Sequence, residues 1–267
     1  MKKIIYTDLD GTLLNNTKPE SYITKKNQKA ILKWLKAGNY FSLATGRNPE
    51  SIKRIYQKYP KLFNLPLVLS NGSVIFDFKN QTILYEDIIN SDFIKEVIEY
   101  LKKNENAIPA FSTKTKSYTI KLNNNLKIPN YLTVVSEERL KTLKINKFAF
   151  IIVNNNFDEV FNDLNNFKNI DKISIVPSSR VYLEVVNKET DKINGIKKAI
   201  KLSNIDNYQL FTIGDYINDL KMIQQSDYSF APKNDHQQLL DEANFIVNHH
   251  NKDALSHMID IILNNKY

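Results

Sequence analysis

Two aspartates, Asp8 and Asp10, stand one residue apart at the end of the short run Ile4-Ile5-Tyr6-Thr7, and Gly11 follows at once. A carboxylate pair so placed has two uses. Its oxygens can take backbone N–H groups in an Asx turn, or one can attack an electrophile while the other moves a proton. Three other polar groups also sit beside strand or helix ends. Thr45-Gly46-Arg47 follows "YFSLA", Lys192 opens a helical stretch, and Asp215, Asn218 and Asp219 follow "QLFTIG". Each alone has an ordinary explanation: a strand-to-helix turn, a solvated lysine, a helix N-cap with polar neighbours. Their conjunction on one sheet edge points to a site. Asp8, Asp10, Asp215 and Asp219 converging on one crevice are costly unless a cation neutralises them. Such oxygen ligands suit Mg²⁺, which takes one or two carboxylates together with water and phosphate oxygens. A phosphate substrate would need hydrogen-bonding and cationic partners, and Thr45 and Lys192 can provide them.

The elements that must position these residues follow a βαβ grammar. Residues 3–7 read as a buried strand, 24–37 as a helix stopped by Gly38, and 40–44 as a second strand. Asn48-Pro49 open another helix as N-cap and first residue, and "LPLVLS" is a third strand. Asn71-Gly72 reads as a type I′ hairpin turn without chemistry, leading into "SVIFDF". The pattern then changes. An amphipathic helix over 91–103 precedes a polar stretch of short strands, with "NNNLKIPN" (123–130) as a loop. A strong strand (147–153), a helix (157–167) and strands near 172–176 and 181–186 complete an α+β block. From residue 191 the first grammar resumes: a helix (191–202), "QLFTIG", a helix, "YSFAPKND", a short helix, "NFIV" and a final helix (252–264). The expected fold is therefore α/β, a Rossmann-like doubly wound parallel sheet with an inserted α+β domain. The core takes residues 1–80 and 187–267, and the insert takes 81–186.

Composition narrows the chemistry. No cysteine is present, which excludes thiolate nucleophiles and Cys-based metal sites. The four histidines (His236, His249, His250, His257) read as surface or loop residues. Only six glycines occur in 267 residues, and Gly11, Gly46, Gly72 and Gly214 all stand at or just past a strand end. The net charge of +8 is spread along the chain instead of being clustered among aromatics, so no nucleic-acid partner is expected. Neither a signal-peptide core nor a membrane-length apolar run is found, and a cytoplasmic location is expected.

Taken in order, "DLDGTLL" (8–14), "ATGR" (44–47), "SNGS" (70–73), Lys192 within "VVNKETDKINGI", "IGDYIND" (213–219) with Met222, and "SFAPKND" (229–235) resemble the haloacid dehalogenase (HAD) superfamily of phosphohydrolases. The likeness is to its Cof-type branch (subfamily IIB), in which the insert is a C2B cap. The resemblance implies a Mg²⁺-dependent phosphohydrolase acting on small phosphate monoesters, such as sugar phosphates or similar metabolites. Asp8 would be the nucleophile that forms an aspartyl-phosphate, and Asp10 the acid and then base, with a raised pKa. Mg²⁺ would be held by Asp8, the Asp10 carbonyl and Asp215, while Asp219 binds a metal water or orients Lys192. Thr45, Gly46, Lys192 and Asn218 would hold the phosphate, and Asn234 would match a late-loop Asn of the family. Lys114, Lys116, Tyr118 and Arg180 could face the substrate or simply be solvated. A phosphomutase or a catalytically silent HAD-fold binding protein are the rival readings.

Overall fold

The computed structural model describes residues 1–104, 107–122, 126–153, 156–179, 181–233 and 236–267. Strand β1 (Lys2–Thr7) is buried on both faces, as a central parallel strand must be. Its alternation sends Ile5 to one apolar cluster and Ile4 and Tyr6 to another. Helix α1 (Lys25–Lys36) is capped by Thr24, whose hydroxyl accepts from the Asn27 N–H. It buries Ile31 and Trp34 in the first cluster. Strand β2 (Tyr40–Leu43) returns parallel to β1. Helix α2 (Pro49–Lys58) starts as expected, with the Asn48 side chain accepting from the Ser51 N–H and Pro49 at the first position.

Strand β3 (Leu67–Leu69) joins the edge of β2 through a parallel Ala44–Val68 bridge and turns into β4 (Val74–Asp77). The connection spans four residues, not the two of a type I′ turn. Ser70, Asn71 and Gly72 all take positive φ, at 51°, 57° and 101°. At position 72 only glycine fits, because a Cβ there would collide with the Asp191 backbone. Strand β5 (Thr82–Glu86), expected within the insert, instead pairs with β4. The β4–β5 hairpin thus extends the core past residue 80.

The insert begins with α3 (Ser91–Lys103), followed by β6 (Ala107–Ser112), β7 (Ser117–Ile120), β8 (Thr133–Val135) and α4 (Glu137–Lys141). It continues through β9 (Lys147–Ile152), α5 (Phe157–Asn165), β10 (Ile173–Ser179) and β11 (Tyr182–Asn187). Its sheet runs β10-β11-β9-β6-β7-β8 and is antiparallel except for β7–β8. Helices α3 and α5 cover one face, burying Phe93, Val97, Leu101, Val160 and Leu164 against Phe111, Phe148, Phe150 and Val185. The described part of the expected loop 123–130 is irregular, and residues 123–125 lie outside the described residues. Two crossings join insert and core. Asp87 ties them together, its carboxylate accepting from Asn187 Nδ2 at 2.9 Å and from the Thr190 hydroxyl.

Helix α6 (Lys192–Leu202) returns the chain to the core, with the Asp191 side chain capping it through the Asn194 N–H. Strand β12 (Tyr208–Ile213), α7 (Leu220–Gln225), β13 (Tyr228–Pro232), α8 (Gln237–Glu242), β14 (Phe245–Val247) and α9 (Ala254–Leu263) complete it. The parallel sheet has the order β14-β13-β12-β1-β2. Helix α9 packs beside α1, and α6 lies on the opposite face with Ile193, Ile196 and Ile200. The doubly wound α/β sheet with an inserted α+β domain is as the sequence implied. Strand order switches side at β1, with β2 added on one edge and β12 to β14 on the other, which makes a crevice at the carboxyl ends of β1 and β12. None of the described helices is long and apolar enough to cross a membrane.

Candidate active site

That crevice receives Asp8 directly. Asp8 ends β1, its N–H bonded to the Ile213 carbonyl at 2.9 Å, so it lies beside the segment that leads to Asp215. The chain then folds back on itself, with the Leu14 N–H closing onto the Leu9 carbonyl and Leu9 and Leu13 buried beneath. Gly11 makes this possible. Its φ is 78°, and a Cβ there would strike the Asp215 carboxylate. The Thr12 hydroxyl, buried, donates to Asp215 Oδ1 at 2.9 Å.

Two carboxylates share a single ammonium, and a third lies beside them. The Lys192 Nζ donates to Asp8 Oδ1 at 2.5 Å and to Asp219 Oδ1 at 2.6 Å, with both lysine and Asp219 about 1% exposed. Asp219 Oδ2 accepts the backbone N–H groups of Asp215 at 3.0 Å and Tyr216 at 3.3 Å. Carboxylate oxygens of Asp8, Asp215 and Asp219 lie within 4.8 Å of one another. One cation cannot balance three clustered carboxylates, of which Asp8 and Asp219 are buried and Asp215 half-buried. Burial pushes the Asp8 carboxyl well above the usual range, Lys192 opposes this, and Asp219, Asp215 and Asp10 add to it. Burial, and then Asp219, push Asp215 up to about 7. Burial works against the Lys192 charge, but Asp219 and Asp8 overcome it and hold the ammonium above its ordinary value. An all-oxygen donor set with this surplus of negative charge fits a hard divalent cation. With both oxygens of Asp219 already engaged, Asp8 and Asp215 are the better placed to hold one.

The charge surplus has a consequence for stability. Between the ordinary aspartate value of 3.8 and about 7, folded Asp215 keeps a proton that the unfolded chain has lost. Stability of the metal-free protein therefore falls as pH rises across that window, because the folded state binds more protons there. In chelator, wild type is expected to lose melting temperature from pH 5 to pH 8 more steeply than Asp215→Asn, and Mg²⁺ should restore wild type at pH 8. Identical pH slopes for the two proteins would refute the account.

The other expected residues are also brought to the crevice, with differences. Thr45 is buried, its carbonyl accepting from the Asn71 N–H at 3.0 Å and its hydroxyl from the Arg47 N–H at 3.2 Å. Asp10 points away from the carboxylate cluster. Arg47 grips it in two parallel bonds, Nε to Oδ2 at 2.8 Å and Nη2 to Oδ1 at 2.6 Å. Asn218 donates to Asn71 Oδ1 at 3.4 Å. Asn71, read as a plain turn residue, thus belongs to the site, and its own amide donates to Glu184 of β11. Asn234 and Arg180 lie outside the described residues.

Beside this cluster lies a cavity of about 870 Å³, which Lys192, Asp219 and Asn71 do not line. The core wall is formed by Asp8, Asp10, Thr45, Gly46, Arg47, Asp215, Tyr216 and Asn218, and the insert supplies Tyr131, Ser178, Ser179, Tyr182 and Glu184. The Tyr131 and Tyr182 hydroxyls are 3.1 Å apart. Lys114 and Lys116 are exposed and Tyr118 packs on the insert's own core; none of the three lines this cavity. A lone acid inside the apolar run "YLEVVN" was the available signal for Glu184, since burial of a charge in a strand calls for a partner.

Known proteins resemble this chain along most of its length. A 5-amino-6-(5-phospho-D-ribitylamino)uracil phosphatase of Bacillus subtilis, YwtE, is 22% identical over 292 residues, covering 99% of each chain. A second B. subtilis protein of that description, YcsE, is 25% identical over 258 residues, covering 96% of this chain and 94% of the relative. The structure of a HAD/COF-like hydrolase from Plasmodium vivax superposes with a TM-score of 0.84 at 23% identity, covering 99% of this chain and 96% of the other. Residues 5–259, which include every site residue above, match the family described as haloacid dehalogenase-like hydrolase, and the chain belongs to that family.

Proposed function

We propose that this HAD-type phosphatase is a Mg²⁺-dependent hydrolase of small phosphate monoesters that works through an aspartyl-phosphate on Asp8. The observation that carries the reading is Asp8 itself, a buried carboxylate that lines the cavity and is bonded to the Lys192 ammonium at 2.5 Å. Asp8, Asp215 and the Asp10 carbonyl would hold the ion, which when bound neutralises the carboxylates and the phosphoryl oxygens. In the first step an Asp8 oxygen forms a bond to phosphorus as the bond to the alcohol oxygen breaks, and Asp10 gives its proton to the leaving alkoxide. To do so Asp10 exchanges its Arg47 contact for the leaving oxygen. In the second step Asp10 takes a proton from water, which attacks phosphorus and frees Asp8. Lys192, the Thr45 hydroxyl and the Gly46 loop hold the transferring oxygens, where charge accumulates in a loose transition state. Asn218 supports the same oxygens, and Asp219 orients Lys192 while remaining in the metal's surroundings. Residues 1–86 and 188–267 form the catalytic domain in this reading, and 87–187 form a cap that excludes water and sets specificity.

The activity of the two B. subtilis relatives and the hydroxyl-bearing wall of Tyr131, Tyr182, Ser178 and Ser179 favour an alcohol rich in hydrogen-bonding groups, such as a sugar or ribityl phosphate. The test is phosphate release with Mg²⁺ from sugar phosphates, nucleotides, pyridoxal phosphate, FMN and the phosphoribitylaminouracil. Hydrolysis of at least one sugar or ribityl phosphate is expected, with loss of turnover in chelator. A folded protein that released phosphate from none of them would overturn the proposal.

A further inference from the structure

Two charged residues of the cap take no part in the proposed chemistry and yet reach its phosphate-holding loop. Lys147 begins β9 and Glu184 lies in the middle of β11, and their side chains are only 8% and 10% exposed. Glu184 pairs with Ala149 in the sheet register, so alternation turns Lys147, Ala149 and Glu184 to one face. The ammonium donates to the Gly46 carbonyl at 2.7 Å and to Glu184 Oε1. Glu184 Oε2 accepts the Asn71 amide, and Asn71 Oδ1 accepts from Asn218 at 3.4 Å. Burying an ion pair costs desolvation that an apolar pair of similar volume would not. Stability alone does not account for it.

The Gly46 contact suggests what the pair does. The carbonyl that Lys147 holds and the Arg47 N–H belong to one peptide unit. That N–H donates to the Thr45 hydroxyl oxygen at 3.2 Å. A planar peptide cannot move one end without the other. Polarising the carbonyl also strengthens the N–H bond at the far end. With its oxygen receiving this bond, the Thr45 hydroxyl is left to donate its own proton into the cavity. On the other side, Glu184 fixes Asn71, whose backbone N–H holds the Thr45 carbonyl at 3.0 Å.

We propose that Lys147 and Glu184 are positioning residues for phosphoryl transfer, a cap-borne clasp on the Thr45-Gly46 loop and Asn71. Seating the cap then aligns the Thr45 hydroxyl, and the loop is held in its working geometry only while the cap is down. This rests on the reading of Thr45 as a phosphoryl ligand.

The experiment compares wild type, Lys147→Met and the double variant Lys147→Met/Glu184→Gln, all with Mg²⁺ and para-nitrophenyl phosphate. Hydrogen exchange over residues 44–48 is followed in parallel. The single variant leaves Glu184 buried without its cation and melts lower. In the double variant both charges are gone, so melting recovers. If the pair positions the loop, kcat of the double variant stays roughly tenfold or more below wild type with KM within about threefold, and exchange at 44–48 is faster than in wild type. Wild-type kcat returning together with the melting temperature would overturn the proposal, as would unchanged exchange at 44–48. Should wild type hydrolyse nothing, the functional reading fails separately, and the exchange result alone then decides whether the clasp holds the loop.

Discussion

Asp8→Asn is expected to reduce kcat by roughly 10³-fold or more while leaving the metal-free protein at least as stable as wild type. The two halves of this result have one cause. Asp8 is 5% exposed and shares its surroundings with Asp215 and Asp219, so its negative charge is unwelcome without a cation. Burial already favours its neutral form. An amide has the same shape, keeps a hydrogen-bonding oxygen for Lys192, and removes one of three clustered carboxylates. What it lacks is an anionic oxygen able to bond to phosphorus and leave again. Phosphate release measured beside thermal melts in chelator checks both halves. Activity within tenfold of wild type would remove Asp8 from the nucleophile's role.

Lys192→Met is expected to damage both stability and turnover. Its ammonium is the group bonded to Asp8 and Asp219, and the lysine is only 1% exposed. Removing one partner of a buried charge network typically costs about 3–5 kcal/mol, because the partners stay buried without compensation. Turnover should fall by roughly 10² or more, since a fixed cation at the transferring phosphoryl group stabilises charge that develops in the transition state. Mg²⁺ should return part of the lost melting temperature by neutralising Asp8 and Asp215, yet leave kcat low. Full recovery of kcat on adding Mg²⁺ would show that Lys192 acts only as structural counter-charge. The contrast with Asp8→Asn is diagnostic: one substitution removes an excess anion, the other removes the cation that balances the rest.

Much of this was legible in the residues because it is local. The buried run Ile4–Thr7, the Asn48 cap, and the apolar stripe of α3 each depend on neighbours within a turn or a strand. Once the strands were recognised as parallel, the crevice rule placed Asp8, Thr45 and Asp215 at one edge without any knowledge of distances. Element limits were less legible. Strand β5 falls to the core through its pairing with β4, a choice between two sheets that its own alternation does not encode.

Sequence alone therefore determined the α/β class, the inserted α+β block and the residues gathered at the carboxyl edge of the sheet, because periodicity and strand-end position are properties of a single segment. The tertiary structure alone decided how those residues divide their bonds. It put both oxygens of Asp219 on Lys192 and the Asp215–Tyr216 backbone, turned Asp10 toward Arg47, and gave the Asn71 amide to Glu184. It also brought Lys147 to the Gly46 carbonyl across 101 residues and Glu184 to Asn71 across 113. Contacts of that range depend on how two different sheets dock. A charge inside an apolar strand announces that it needs a partner, but only the docked surfaces supply one.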